Sequence, residues 1–276
     1  MTERSTKVFV LTGCASGIGL RMAKVLADAG HRLVVTDVQE DRLREVATSC
    51  AWPEEDVFVR KLDVRQPHAW DLLFGEALRH FGRVDVLMNI AGYLRPGYIH
   101  EIGVGDVDKH VDVNLKGVVF GTHAAARVMV DQGHGHIVNI GSLASLAPVP
   151  GLCLYSASKF AVRGFSLACA QELRPHGVHV SVVLPDAVKT PMLDLQLHYE
   201  EAAMTFSGDE ALTVDDVVSI VLERVLPQRP MEVMLPLGRG SLAKFANAFP
   251  EVAVALGPAL TKKGLQRQKE LKRGAR

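Results

Sequence analysis

The chain has 276 residues, of which 48% are hydrophobic and 22% are charged, and its formal net charge is +0. A chain of this size and composition can bury a sizeable core and is typical of one globular domain with extensions. Because its charges balance, the whole molecule has no field that would attract nucleic acid, and we expect no nucleic-acid partner.

The cysteines and the N-terminal stretch indicate the compartment. Cys14, Cys50, Cys153 and Cys169 have neither CxxC spacing nor a histidine cluster at zinc-ligand intervals, so we expect no metal site and no disulfide framework. The first apolar stretch has strand length and ends in Gly13, and no run of about 18 or more apolar residues follows it. We therefore expect a cytoplasmic protein.

Strand-length apolar runs alternate with segments of helical length. The predicted strands cover residues 7–11, 31–37, 57–64, 84–89, 136–142 and 178–185, and the predicted helices end at 29, begin near 39, and cover 67–81, 106–131 and 152–173. Continuous apolar strands separated by helices predict a parallel sheet covered on both faces. The expected fold class is α/β, a doubly wound parallel sheet (Rossmann fold), in a single domain with a lid insertion and a C-terminal extension.

Residues 187–212 interrupt this alternation. They have helical apolar spacing where a strand-to-helix loop should be short, and an insertion at the carboxyl edge of the sheet is where a lid over a ligand would lie. A helix near 213–226 and a strand over 231–235 complete the predicted sheet. We expect a dinucleotide-binding and catalytic domain over 1–236 and an extension over 237–276.

The sequence LTGCASGIG follows the first strand and opens the first helix, with Gly13, Gly17 and Gly19 in a GxxxGxG pattern. Such a turn lets the backbone approach a pyrophosphate closely, and the helix N-terminus offers free N–H groups and a positive dipole end. A tight turn without a ligand is the alternative interpretation. The strand before the turn and the helix after it favour a dinucleotide.

An acidic residue indicates which dinucleotide is bound. Asp37 ends the second strand, 18 residues beyond Gly19, where a carboxylate can bind both hydroxyls of an adenosine ribose and repel a 2′-phosphate. This favours NAD over NADP, although Asp37 can also cap the next helix. Asp63 and Val64, at the end of the third strand, are candidates for an adenine pocket, and Asp63 can equally be a surface cap.

Tyr155 and Lys159 lie four residues apart on one helix face, so their side chains can converge. A free phenol has a pKa near ~10 and is a poor base at neutral pH, but a neighbouring ammonium favours the phenolate. Alone, such a pair is more often structural than catalytic. Other motifs in the chain therefore decide whether Tyr155 and Lys159 are catalytic or structural.

The chain resembles the classical short-chain dehydrogenase/reductase family through six motifs in the family's order. They are TGCASGIG at 12–19, NIAG at 89–92, Asn114 in VNLKG, Ser142 in VNIGSLAS, YSASK at 155–159 and LPDAVKT at 184–190. Ser142 lies 13 residues before Tyr155, as the serine of the family does. The motifs span about residues 6–235 of the chain.

The resemblance implies a catalytic tetrad. Tyr155 would exchange a proton with the substrate oxygen, and Ser142 would hydrogen-bond that oxygen and stabilise its developing charge. Lys159 would lower the pKa of the tyrosine and hold the nicotinamide ribose, and Asn114 would help to fix a water that passes protons to the lysine. The structural alternatives are that Asn114 bonds helix backbone and that Ser142 caps a strand end.

The resemblance also implies the cofactor contacts, among them small residues after the fourth strand that would make room for the cofactor. The full set is Gly13, Ser16, Gly17, Ile18, Gly19, Asp37, Asp63, Val64, Asn89, Ala91, Gly92, Tyr155, Lys159, Pro185, Val188 and Thr190. Asp186 departs from the family, which usually has glycine there. A carboxylate at this position could favour the oxidised, positively charged nicotinamide or point to solvent.

Apolar residues surround the expected reaction centre, before Tyr155, after the fourth strand and on the lid. Few charges stand among them, which favours an apolar alcohol or ketone, such as a steroid, a retinoid or a lipid, over a sugar or an acid. Much of this set can equally be ordinary core. The expected substrate contacts are Ser142, Tyr155, Tyr93, Leu143 and Leu193.

The C-terminal extension is amphipathic and then basic. Apolar residues recur near helical spacing at Leu242, Phe245, Phe249, Val252 and Leu256. Residues 261–276 carry seven Lys/Arg against one Glu, and such a pair of segments can dock on an anionic membrane surface. Alternatively, the apolar face packs on the body or on a second subunit, and the basic end is a solvated, frayed terminus. Pro250 and Pro258 argue against one long helix.

The main hypothesis is therefore an NAD-dependent oxidoreductase acting on an apolar secondary alcohol or ketone. One alternative is an NADP(H)-dependent carbonyl or 3-oxoacyl reductase, and an alternative of another class is a non-catalytic dinucleotide-sensing protein. The family resemblance implies a homodimer or a homotetramer. The expected partners are an apolar small-molecule substrate and, through the C-terminal tail, a peripheral membrane contact.

Overall fold

A computed structural model of the protein describes residues 6–274. Residues 1–5 and 275–276, which belong to the predicted domain and to the predicted basic tail, lie outside the described residues. The strands are β1 Val8–Thr12, β2 Arg32–Asp37, β3 Val57–Lys61, β4 Val86–Asn89, β5 Gly135–Ile140, β6 Val178–Pro185 and β7 Glu232–Leu235. They form one parallel sheet in the order β3-β2-β1-β4-β5-β6-β7, so the predicted doubly wound fold is confirmed.

Helices cover both faces of the sheet and its carboxyl edge. They are α1 Gly17–Asp28, α2 Glu40–Ser49, α3 Pro67–Phe81, α4 Val104–Lys109, α5 Gly117–Gln132, α6 Cys153–Leu173, α7 Pro191–Leu197, α8 Val214–Ile220, α9 Leu226–Gln228, α10 Leu237–Ala248 and α11 Pro250–Gly274. The π-helical segments His110–Lys116 and Val221–Val225 join α4 to α5 and α8 to α9. Short 3-10 segments cover Leu143–Ser145, Arg174–His176 and Glu200–Ser207.

The apolar runs form strands because a parallel sheet buries both of its faces. Successive residues of β1 alternate between two cores: Phe9 and Leu11 belong to one core, and Val8 and Val10 belong to the other. All four side chains are almost fully buried. Burial of one such side chain contributes about 1.5–3 kcal/mol to the stability of the fold. Because the side chains alternate, both faces of the sheet are apolar, and helices cover each face.

The turn between β1 and α1 requires glycine. Gly13 and Gly17 have φ angles of 72° and 56°, and a Cβ on Gly19 would lie 2.2 Å from the carbonyl oxygen of Gly13. The hydroxyl oxygen of Thr12 accepts hydrogen bonds from the backbone N–H groups of Ile90 (2.9 Å) and Ala91 (3.0 Å). The glycine turn and the loop after β4 are therefore held side by side at the carboxyl edge.

The C-terminal extension consists of two helices rather than one. The chain breaks at Phe249, and Pro250 begins α11, where a proline needs no N–H partner. The prediction that Pro258 would also interrupt the helix is wrong, because α11 continues through it. Pro258 is exposed and borders the cavity.

The basic segment is helical and contacts the lid as far as Gln268, so its interpretation as a frayed terminus is wrong for that part, while residues 269–273 are exposed. Gln268 on α11 is 2% exposed and donates hydrogen bonds to the carbonyl oxygens of Gln196 (3.2 Å) and Tyr199 (3.0 Å). Lys263 forms an ion pair with Asp209 at 2.6 Å. Within residues 6–274, no helix combines the length and the hydropathy that a membrane span needs.

A glycine on α11 tests this docking. A Cβ on Gly264 would lie 1.9 Å from the carbonyl oxygen of Ala203 in the lid, so we expect Gly264→Ala to separate α11 from the lid at a cost of about 1–3 kcal/mol. Trypsin should then cleave the basic residues of α11 faster, and the melting temperature should fall.

Gly257→Ala is the matched control on the same helix, because its Cβ would meet only the terminal methyl of Met204, at 3.8 Å. That substitution should leave cleavage unchanged and slightly favour the helix. Equal cleavage rates for the two variants would contradict the docked position of α11.

Candidate functional site

A cavity of about 1830 Å³ lies at the carboxyl edge of the sheet, between the glycine turn, the lid and helices α10 and α11. Pockets for one drug-sized ligand occupy ~300–1,000 Å³, so this cavity has room for two ligands. The predicted cofactor and substrate residues on its wall are Gly13, Ser16, Gly17, Ile18, Gly19, Asp37, Asp63, Val64, Ala91, Gly92, Ser142, Leu143, Tyr155, Lys159, Pro185, Val188, Thr190 and Leu193. The structure thus brings most of the predicted site together.

Asp37 is fixed between the glycine turn and α2. One carboxylate oxygen accepts the backbone N–H of Ala15 at 3.0 Å, and the other accepts that of Gln39 at 2.9 Å. The carboxylate therefore supports the start of α2 and also lines the cavity, as the sequence predicted for its two compatible roles.

The charge of Arg65, a cation on the cavity wall, is neutralised by Asp63. Arg65 binds Asp63 with two parallel hydrogen bonds, of 2.9 Å from Nε and 2.6 Å from Nη2, and this pairing lowers the pKa of the Asp63 carboxyl. A bidentate guanidinium–carboxylate pair leaves Arg65 little capacity for a second anion. The adenosine end of the cavity therefore presents carboxylates and backbone groups rather than an uncompensated cation.

Three predicted site residues do not reach the cavity wall: Asn89, Tyr93 and Asn114, the last of which is described below. The Asn89 amide donates to Asn139 Oδ1 at 2.9 Å, inside the protein between β4 and β5. The hydroxyl of Tyr93 donates to Asp106 at 2.7 Å, and burial, followed by this bond, raises its pKa to about 12. Asn89 ends the predicted fourth strand and Tyr93 lies in the loop after it, but hydrogen bonds to Asn139 and Asp106 hold their side chains away from the cavity.

Ser142 and Tyr155 meet at the centre of the cavity wall. Ser142 precedes the short 3-10 turn after β5, and its hydroxyl oxygen accepts the N–H of Ala144 at 3.1 Å. It also lies close enough to the phenol of Tyr155 to lower the tyrosine pKa, but burial is the larger effect and raises that pKa to about 12. Ser142 therefore both caps a turn and lies beside the phenol, and the phenol keeps its proton at neutral pH.

Lys159 carries a buried ammonium. Its side chain is 4% exposed, and burial lowers its pKa to about 8. Nζ donates to the carbonyl oxygen of Ile140 at 2.9 Å and lies 5.6 Å from the ring centroid of Tyr155. An ammonium has three donors, so this group can bind further acceptors in the cavity that it lines.

Asn114 lies in the π-helical segment His110–Lys116 and is fully buried. Its amide oxygen accepts the N–H of Tyr93 at 2.7 Å, and its amide nitrogen donates to the carbonyl oxygen of Tyr93 (2.8 Å) and to the hydroxyl of Ser158 (3.0 Å). Ser158 in turn donates to the carbonyl oxygen of Tyr155 at 2.7 Å. The side chain of Asn114 thus ties the loop after β4 to α6.

Asp186 neither points freely to solvent nor presents an isolated charge to the cavity. It forms an ion pair with Arg239 on α10, and both residues line the cavity. The guanidinium also lies 3.5 Å from where a Cβ on Gly208 would stand, at the end of the lid. This contact attaches the extension to the loop after β6, and no local sequence signal could have indicated it.

Helices α10 and α11 also line the cavity, which the sequence did not predict. Helical spacing of apolar residues indicates an amphipathic helix but not which surface of the protein that helix contacts. The wall residues from these helices include Leu242, Phe245, Val254, Leu256, Thr261, Lys262, Leu265, Gln266 and Lys269. The extension therefore contributes part of the cavity wall.

Comparison with protein families and with curated proteins gives consistent matches. A family model described as short chain dehydrogenase matches residues 7–200. A 3-alpha-(or 20-beta)-hydroxysteroid dehydrogenase of Mycobacterium tuberculosis is 36% identical over 188 residues, which are 68% of this chain and 71% of that protein. The 2,5-dichloro-2,5-cyclohexadiene-1,4-diol dehydrogenase LinX of Sphingobium indicum is 34% identical over 186 residues, or 67% and 74% of the two chains.

Solved structures share the fold. A short chain dehydrogenase/reductase from Burkholderia phymatum in complex with NAD superposes with a TM-score of 0.80 at 27% identity, covering 91% of this chain and 96% of that one. ElxO with NADP bound has a TM-score of 0.74 at 24% identity, covering 83% and 97%, and shows the fold alone.

The buried ammonium of Lys159 is expected to lower the free energy of unfolding in a pH-dependent way. The folded chain releases the Lys159 proton near pH 8, whereas the ordinary pKa of a lysine is 10.5, so the unfolded chain binds more protons between these pH values. The penalty for burying the charge is therefore full below about pH 8 and fades as the pH rises toward 10.5. We expect Lys159→Met to raise the free energy of unfolding at pH 7 by on the order of 1–3 kcal/mol.

Urea unfolding of the chain without added dinucleotide, between pH 6.5 and about 10, measures this difference. The advantage of the variant should shrink across the upper half of that range. The exposed Lys61 supplies the control Lys61→Met, which should change stability little at any pH. A Lys159→Met variant less stable than the parent at pH 7 would contradict the prediction.

Proposed function

The chain belongs to the short-chain dehydrogenase family, and on that premise we propose that it is an NAD-dependent oxidoreductase acting on an apolar secondary alcohol or ketone. The observation that carries the proposal is one arrangement on the cavity wall. The phenol of Tyr155 lies close to Ser142 and stands beside the buried ammonium of Lys159, in the cavity that also contains the glycine turn.

The residues at the nucleotide end fit a dinucleotide. The first residue of α1 follows Ser16, whose side chain makes no capping hydrogen bond, so the N–H groups of the helix start are left for an anion. A Cβ on Gly17 would come within 3.3 Å of the side chain of Thr190, so glycine keeps this approach open. We propose that the turn at Gly13 to Gly19 holds the pyrophosphate and that Lys159 binds the nicotinamide ribose.

The chain itself positions the substrate and moves one proton. The bound nicotinamide supplies the hydride chemistry. Because burial keeps the phenol of Tyr155 protonated, it is ready to donate a proton to the oxygen of a ketone, while the hydroxyl of Ser142 hydrogen-bonds the same oxygen. In the reverse direction the phenolate must form, and the ammonium of Lys159, 5.6 Å from the ring, stabilises its charge.

Asn114 acts in this proposal as a positioning residue. Its amide is occupied by Tyr93 and Ser158, so it holds α6, and with it Tyr155, against the loop after β4. A water that passes protons to Lys159 would therefore bind a backbone group of the π-helical segment rather than this amide. Such segments occur frequently at functional sites.

The carboxylate of Asp37 supports the preference for NAD. It is fixed at the adenosine end of the cavity, where it can accept two ribose hydroxyls and would repel a 2′-phosphate. Among proteins with this fold, one structure holds NAD and another holds NADP, so the preference rests on the residues of this chain.

The substrate proposal rests on the walls of the second half of the cavity. Leu143 and Leu193 lie near the reaction centre, and the lid and the extension add further apolar surface. A relative is a 3-alpha-(or 20-beta)-hydroxysteroid dehydrogenase, which supports a steroid-like, retinoid-like or lipid-like alcohol or ketone. We expect the protein to be cytoplasmic and to form a homodimer or homotetramer, as its family resemblance implies.

An exposed apolar patch on the extension supports a peripheral membrane contact. Phe245 and Phe249 are 53% and 51% exposed, and their rings lie 4.9 Å apart. Leu242 and Val254 are exposed as well, and with Phe245 they also border the cavity, so this surface lies at the rim of the ligand space. Exposed patches of this kind mark interaction surfaces, and binding to vesicles of anionic lipid tests the contact.

The first prediction for this function concerns Asp37. Asp37→Ala should weaken NAD binding and raise the ratio of NADP to NAD activity by about tenfold or more, because two charge-assisted hydrogen bonds and the repulsion of a 2′-phosphate are lost together. Steady-state kinetics with both dinucleotides measure the ratio.

The matched control is Asp41→Ala, in the exposed first turn of α2, which should leave the ratio unchanged. Preference of the unmodified protein for NADP(H) would contradict NAD specificity and favour the carbonyl or 3-oxoacyl reductase alternative.

The second prediction concerns Tyr155. Tyr155→Phe removes the proton donor, so kcat for steroid, retinoid and long-chain secondary alcohols and ketones should fall by about 10²- to 10⁴-fold while the dissociation constant for NAD stays the same. Dinucleotide absorbance follows turnover, and calorimetry follows binding. Tyr98→Phe, on an exposed tyrosine, should keep full activity.

Negligible turnover by both the parent and the Tyr155→Phe variant across this panel, with intact NAD binding, would support the dinucleotide-sensing alternative instead.

A further inference from the structure

The cations of α11 differ in their surroundings according to the side of the helix on which they lie. Lys263 pairs with Asp209 at 2.6 Å, and Arg267 pairs with Glu270 at 3.1 Å. Lys262 and Lys269 instead line the cavity, and within residues 6–274 neither forms an ion pair. The helix therefore brings two uncompensated positive charges to the cavity wall.

These two lysines form a stripe with an amide between them. Lys262, Gln266 and Lys269 occupy positions i, i+4 and i+7, which share one face of a helix, and all three line the cavity. At ~1.5 Å of rise per residue, the two lysines lie about 10 Å apart along the axis. Two ammonium groups and an amide N–H2 are donors that suit a carboxylate, sulfate or phosphate.

Apart from Lys159 beside Tyr155 and Asp37 at the adenosine end, the other charged side chains on the cavity wall form ion pairs. Asp63 pairs with Arg65, and Asp186 pairs with Arg239. Asp37 accepts two backbone N–H groups at the opposite, adenosine end. The charge that remains in the substrate half, away from the reaction centre, is therefore positive, and it lies beside apolar wall residues of the same helix such as Leu265.

We propose that the substrate is an amphipathic anion: an apolar body that carries the reacting alcohol or ketone, and an acidic group at its far end that Lys262, Gln266 and Lys269 bind. This inference rests on the proposed function and refines it, because the sequence had favoured an apolar substrate over an acid. Apolar side chains around the two lysines bind the apolar part of the substrate. The lysines bind its acidic group, and this orientation brings the alcohol or ketone end of the substrate to Tyr155.

Matched substrates test the proposal. The probes are a hydroxysteroid whose side chain ends in a carboxylate and its methyl ester, which has the same body without the charge. We expect Lys262→Gln/Lys269→Gln to lower kcat/KM for the carboxylate by about five- to tenfold and to change that for the ester less than about twofold. The preference of the parent for the carboxylate should decrease with salt, because the lysines are partly exposed.

The control removes the same charge from the same helix. Lys272→Gln/Arg273→Gln changes two cations of α11 that do not line the cavity, and it should leave the ratio of the two substrates unchanged. An equal change in both double variants, or an equal loss for carboxylate and ester, would overturn the proposal.

Two further measurements separate the possible failures. If the parent turns over neither probe, the proposed activity on such steroids fails, and calorimetric binding of the two probes to the NAD-loaded protein still decides whether the lysines select the carboxylate. Co-sedimentation with phosphatidylserine vesicles distinguishes the other source of an anionic group. Loss of vesicle binding in the Lys262→Gln/Lys269→Gln variant, with an unchanged ratio of carboxylate to ester, would assign the lysines to a lipid surface and overturn the proposal.

Discussion

The buried ammonium of Lys159 is the group around which the reaction centre is built. A charge with 4% exposure is costly, and the lowered pKa of about 8 expresses that cost. The carbonyl oxygen of Ile140 meets it at 2.9 Å, which fixes α6 against the end of β5. Ser142 follows the same strand end and lies beside Tyr155 on the same helix, so the end of β5 and α6 together place the side chains of the proposed reaction centre. The buried charge of Lys159 lowers the stability of the fold locally, which is common at functional sites.

The sequence was most informative where function depends on short-range geometry. The parallel sheet and the family are confirmed, and Tyr155 and Asp37 line the cavity because helix spacing and a strand end determine where they point. Asn89 and Tyr93 show the limit of such signals. Each sits at the expected strand end, but partners distant in the chain, Asn139 and Asp106, turn the two side chains inward. Composition and spacing carry no information about such partners, because packing chooses them.

The extension shows the same limit on a larger scale. Proline usually ends a helix, which argued for a break at Pro258, but α11 continues through that exposed residue. Gly264 gives the physical reason why α11 lies where it does. Its missing side chain lets the helix approach the backbone of Ala203 in the lid, and Gln268 then satisfies lid carbonyl groups. A glycine in a basic segment is an ambiguous sign in a sequence, because it suggests flexibility as readily as close packing.

The two halves of the cavity therefore differ in what their relatives can say about them. The family model covers residues 7–200, which contain the glycine turn, Asp37 and the catalytic side chains. Helices α10 and α11 lie beyond it, yet they supply one wall of the substrate half and close on the domain through the ion pair of Arg239 with Asp186. Similarity to a hydroxysteroid dehydrogenase thus bears most directly on the end where a hydride and a proton move. The extension lines the far end of the cavity, so the proposal for that end of the substrate rests on the apolar and cationic side chains that α11 itself places on the wall.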